Sequence, residues 1–178
     1  MWCGITRFLG LFLLAAACVA GRAEDFGLES VGVRGGGSFT SAAHNFHEAE
    51  GFLNWNLPLE ADLDSRWWLQ MQLQTSVGWL GDPGGNAFLW SAGPGLLLGR
   101  DRFPLIFDVG ISPTVLSRYA FQTKDFGSLF QFTTHAGFNF NLGAHACIGY
   151  RFQHMSNAGF VHPNPGLNLH FLAVSYRF

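Results

Sequence analysis

"WWLQMQLQTSVGWL", Trp67 to Leu80, alternates along almost its whole length. Trp67, Leu69, Met71, Leu73, Thr75, Val77 and Trp79 share one parity, and Trp68, Gln70, Gln72, Gln74, Ser76 and Gly78 the other. Successive side chains of a strand point to opposite faces, so this period of two writes a strand with one apolar and one polar side. No helical stripe fits it.

The same pattern recurs along the chain. "FPLIFDVGI" sets Phe103, Leu105, Phe107, Val109 and Ile111 against Asp108 and Gly110. "SLFQFTTHAGFNF" sets Phe130, Phe132, Ala136, Phe138 and Phe140 against Gln131, Thr133, His135, Gly137 and Asn139. "AHACIGYRF" and the final "FLAVSYRF" repeat it, while His47 to Leu57 and Asn86 to Gly99 are interrupted by glycine and proline. Eight strands are expected, over residues 26–35, 46–57, 66–79, 86–99, 102–113, 127–141, 143–156 and 168–178.

Eight alternating strands close either a soluble barrel or a membrane one, and the sign of the faces separates the two. The chain is 48% hydrophobic and only 12% charged, too few charges to coat a water-facing exterior. Its 19 phenylalanines are too bulky for one small interior. The expected fold is therefore an all-β, eight-stranded antiparallel transmembrane β-barrel, apolar faces toward lipid and polar faces inside. Trp67, Trp79, Tyr150 and Tyr176 become candidates for interfacial aromatic girdles. An interior this narrow is filled by side chains, so Gln70, Gln72, Asp108, His135, Arg151 and Gln153 are expected to form a hydrogen-bonded plug.

Residues 1–23 read as a signal peptide: Arg7, the apolar run Phe8 to Ala20, then Gly21 and Ala23 as small residues at a cleavage site. Residues 24–178 would then be the barrel. Removing Arg7 and Arg22 from the ten basic residues leaves eight against twelve acidic ones, a formal charge of −4. No basic run remains to bind nucleic acid. Cys147 would be the lone cysteine, with no metal-ligand spacing around it, so no metal and no cofactor are expected. Nothing in the sequence fixes an oligomeric state.

A chain end with Val174, Tyr176 and Phe178 in step suits assembly into a Gram-negative outer membrane. Asn141 to Gly143 is short enough for a periplasmic turn, whereas "NAGFVHPNPGL", Asn157 to Leu167, is the longer kind of connection expected outside. The end of the seventh strand therefore lies at the outer leaflet. There parity puts His154 and Ser156 on the lipid side, with Asn168 and His170 from the eighth strand beside them. Histidine and serine two apart on a strand have backbones about 6.5–7 Å apart, close enough for the side chains to lean together. That is the minimum geometry for a hydroxyl activated by an imidazole base. His-x-Ser also occurs by chance, and two interfacial polar residues meeting headgroups and water would look the same.

The wider stretch "HMSNAGFVHPNPGLN" resembles the signature of the PagL-type lipid A 3-O-deacylases, outer-membrane barrels carrying this block before the last strand. The resemblance implies a serine esterase that hydrolyses the 3-O-linked acyl chain of lipid A, with lipopolysaccharide as substrate and the site facing the outer leaflet. It implies His154 as general base, Ser156 as nucleophile, and Asn157 and Gly159 at the oxyanion hole. It also exposes a departure: Asn168 stands where the family pattern has a glutamate as the acid of the triad. A catalytically inactive structural barrel, or an esterase of another membrane lipid, are the alternatives that this departure keeps open.

Overall fold

The computed structural model describes residues 26–39 and 46–178; the signal segment expected at 1–23 lies outside them. Eight strands run β1 (Gly27–Gly37), β2 (His47–Asp62), β3 (Trp67–Asp82), β4 (Gly85–Arg100), β5 (Leu105–Leu116), β6 (Phe130–Asn141), β7 (Ala146–Ser156) and β8 (Leu167–Arg177). Each pairs antiparallel with its sequence neighbour, and β1 closes on β8, giving an eight-stranded transmembrane β-barrel.

All eight expected strands are present, with shifted ends. β2 continues to Asp62 rather than stopping near Leu57, because Pro58 is absorbed instead of ending the strand. The β2–β3 register shifts between Asn56 and Glu60, a bulge that spares Pro58 the ladder bond its missing N–H cannot make. Between β4 and β5 no pairs form from Ser91–Thr114 to Gly95–Gly110, a gap that contains Pro94 and Pro113.

The apolar faces point outward. Trp79 is 55% exposed, Phe107 47% and Leu172 73%, values that in a water-facing barrel would be a large unfavourable surface and here meet hydrocarbon. Trp79 pairs with Phe88, and Trp90 with Val77, toward one end; the Arg100 guanidinium lies over the Trp67 ring toward the other. Tyr150, expected in a girdle, sits mid-strand and shares a hydrogen bond of 2.7 Å with His170 Nδ1.

Connections 63–66, 101–104 and 142–145 lie at one end of the barrel with Gly27 and Arg177. Gly37 and His47 lie at the other, the loop end, with connections 83–84, 117–129 and 157–166.

The interior filling changes from polar to apolar toward the loop end. Midway along, Arg34 pairs with Glu50 and donates to Ser76 Oγ at 3.2 Å. Arg151 donates to Asp108 at 2.9 Å and to Gln74 at 3.1 Å, and His135 meets the same aspartate at 3.3 Å. Glu48 and Glu50 are both buried inside, as parity requires. At the loop end the filling turns apolar: Leu80, Leu116, Met155, Leu169 and Phe171 join Phe121 and Phe126 of the loop 117–129. Phe46, Phe121 and Phe126 meet edge to face with centroids 5.3–5.8 Å apart. This apolar cap was not anticipated. It fastens the loop 117–129 onto the barrel above the end of β7.

Candidate active site

β7 turns Cys147, Gln153 and Met155 into the interior, so His154 and Ser156, one step out of phase, face the lipid side. β8 buries Leu167, Leu169 and Phe171, leaving Asn168 and His170 outside. Both parities agree with the alternation, and no bulge intervenes: β7 and β8 pair without a shift from Ala146–Tyr176 to Met155–Leu167. His154 stands directly opposite Asn168 in that ladder.

The facing pair is joined. His154 Nδ1 lies 2.7 Å from Asn168 Oδ1. An amide oxygen only accepts, so Nδ1 carries the proton and the Nε2 lone pair is left free. That is the tautomer a general base needs. His154, Ser156 and Asn168 are all half-buried. No hydrogen bond joins His154 to Ser156 in this resting arrangement; bonds of this kind often tighten only around bound substrate.

Apolar walls flank the three residues. Phe132 of β6 faces Ser156 across the ladder, and Phe160 of the following loop lies 6.1 Å from the Phe132 ring. On the other side Phe152 faces His170, whose ring is 5.2 Å from that of Phe152 and 5.3 Å from Phe39. Further along the outer wall, the small residues Gly35, Ala49 and Gly51 leave a groove of about 440 Å³ bounded by Val33, Trp79, Leu172 and Val174. Leu172 is four residues along β8 from Asn168.

Asn157 and Gly159 come together just past Ser156. Phe160 N–H donates to Asn157 O at 3.2 Å, closing a turn whose central residues, Ala158 and Gly159, have φ of 56° and 81°. Two positive φ angles define a type I′ turn, costly for alanine and natural for glycine. Gly159 N–H donates to Asn157 Oδ1 at 2.9 Å. The Asn157 amide nitrogen contacts the carbonyls of Phe126 and Val161, each at 2.9 Å, and its backbone N–H donates to Asn164 Oδ1 at 3.0 Å. Asn157 is thus a buried hub tying the loop 157–166 to the capped loop 117–129. Ala158 N–H has no partner among the described residues.

Sequence reading did not single out Asn164 or Phe126. Asn164 belongs to the "PNPG" motif, but that a side chain there would brace Asn157 follows only once the loop is folded.

The family model for lipid A 3-O-deacylase (PagL) matches residues 49–177. The lipid A deacylase PagL of Bordetella bronchiseptica (strain ATCC BAA-588 / NCTC 13252 / RB50) is 36% identical over 106 residues, 53% of this chain. That stretch spans 60% of the Bordetella protein, less than two thirds of its length. The crystal structure of the outer membrane enzyme PagL superposes with a TM-score of 0.72 over 82% of this chain and 97% of that one. At 19% identity that likeness speaks to the fold.

Proposed function

Because the chain belongs to the lipid A 3-O-deacylase (PagL) family, we propose that it is an outer-membrane serine esterase releasing the 3-O-linked acyl chain of lipid A. The observation that carries the reading is the His154–Asn168 hydrogen bond on the lipid-facing wall, one outward position from Ser156. A membrane-held ester reaches such a site sideways, without leaving the bilayer.

His154 Nε2 takes the proton of Ser156 Oγ as the oxygen attacks the ester carbonyl. The tetrahedral oxyanion meets N–H groups of the turn built by Asn157 and Gly159; Gly159 N–H would exchange Asn157 Oδ1 for it, beside the unpaired Ala158 N–H. Collapse expels the sugar oxygen, which takes the proton from the imidazolium and leaves Ser156 acylated. Water, deprotonated by His154, then attacks the acyl-enzyme, and the fatty acid leaves with Ser156 restored. Phe132 and Phe160 shelter the scissile bond, and the outer groove lined by Gly35, Ala49 and Gly51 accepts acyl chain.

Asn168 holds the imidazole in the required tautomer but places no negative charge beside the imidazolium. That difference favours, as a second reading, a barrel that keeps the site without turnover. A fluorophosphonate probe separates the two readings. Labelling of the folded protein that vanishes in Ser156→Ala and falls in His154→Ala supports an activated nucleophile. A wild-type protein that takes no label supports the inactive barrel.

A further inference from the structure

Lys124, in the loop 117–129, is the single lysine of the chain. Lys124 Nζ donates to Gly166 O at 2.6 Å. The β7–β8 register ends at the Met155–Leu167 pair, and Gly166, with φ 63°, is the residue just before β8. The ammonium is therefore seated on the carbonyl of the residue that leads into β8, two before Asn168. Gly166 is also the residue against which the imidazole lies: a Cβ there would come within 2.9 Å of His154 Cε1.

Charge at this end of the barrel is sparse. Arg34 and Arg151 are spent on Glu50 and Asp108 inside, and Arg66, Arg100, Arg102 and Arg177 lie toward the opposite end. The Arg118 guanidinium, also at the loop end, gives its bonds to Ala120 O and Gly84 O and lies over the Phe121 ring. Lys124 has no carboxylate partner among the described residues. The neighbouring Asp125 turns its carboxylate to Gly127 N–H at 2.7 Å. An ammonium has three donors, and one bond to a carbonyl leaves two. Leaving a half-buried cation without a counter-ion costs free energy unless an anion arrives with the ligand. The loop is pinned by Phe121 and Phe126 in the apolar cap, so the ammonium is presented from a fixed platform.

We propose that Lys124 is the headgroup anchor of the site, binding a phosphate on the sugar whose ester is presented to Ser156. This deepens the esterase reading and rests on it: phosphate on Lys124 and ester carbonyl at Ser156 would orient one lipid by two points.

The test compares lipid A with enzymatically dephosphorylated lipid A in detergent. Wild type is expected to favour the phosphorylated form in kcat/KM by about ten-fold or more, the scale of one charge-assisted hydrogen bond. Lys124→Gln should collapse that ratio toward one, Lys124→Arg should retain most of it, and added salt should shrink it in wild type. A lysine that only braced Gly166 would lower turnover of both lipids equally and leave the ratio intact, which would overturn the proposal. Equilibrium binding of the two lipids to Ser156→Ala protein, with and without Lys124→Gln, gives the same comparison independently of turnover. Absence of hydrolysis with a Lys124-dependent preference in binding would sink the esterase reading and keep the anchor. Phosphatidylglycerol micelles that bind as tightly as lipid A through Lys124 would reassign it to glycerophospholipid.

Discussion

His154 and Asn168 face each other across the β7–β8 ladder, and their side chains meet at 2.7 Å on the outside of the barrel. In a lipid-facing wall a polar side chain without a partner is costly, and this pair satisfies one imidazole nitrogen while leaving the other free. The arrangement fixes the imidazole ring without placing a charge beside it.

Asn168→Glu supplies the carboxylate that the amide replaces. A charge-assisted bond is about twice as strong as a neutral one, and it stabilises the imidazolium formed during attack. Esterase turnover is expected to be kept or raised in Asn168→Glu and to fall by about ten-fold or more in Asn168→Ala, which releases the ring. Equal rates in all three proteins would remove Asn168 from the site.

Asn157→Ala breaks the link between the two loops. It strands the Phe126 and Val161 carbonyls and frees Gly159 N–H, each at a cost of about 1 kcal/mol or more. Lower unfolding stability in detergent, together with lost turnover, is expected. Full stability would mean that the loops hold without the hub.

Gly159→Ala tests the turn alone. A Cβ there meets nothing within 4 Å, so its cost is backbone strain at φ 81°, about 1–2 kcal/mol. The barrel should still fold, measured by its heat-modifiable gel mobility, while turnover drops because the turn beside Ser156 is distorted.

Asp108→Ala removes the carboxylate shared by Arg151, His135 and Gln74. A buried guanidinium left unpaired costs about 3–5 kcal/mol. A large loss of stability in urea is expected. The double variant Asp108→Ala with Arg151→Met should recover part of it, and no recovery would show that the layer is not held by that pair.

Much of this was legible in the chain because a strand writes its two faces at a period of two. The alternation from Trp67 to Trp79 and the parity of His154 and Ser156 needed no tertiary information. What the alternation could not convey lies in segments without a period. Phe121 and Phe126 cap the barrel from an irregular loop, and nothing local tells a capping phenylalanine from a lipid-facing one. β2 outran its expected end because a bulge accommodates Pro58. Tyr150 lies mid-strand rather than at a girdle, and its hydroxyl bonds His170 across the β7–β8 seam. The Asn157 hub and the seat of Lys124 on Gly166 join loops that are far apart in sequence, so only folding brings them into view.

The most direct test incubates the purified, refolded barrel with lipopolysaccharide in detergent and follows released 3-hydroxy fatty acid by mass spectrometry. Release by wild type that disappears in Ser156→Ala and in His154→Ala is the predicted result. Release that persists in Ser156→Ala, or a folded wild-type protein that releases nothing, would contradict the account.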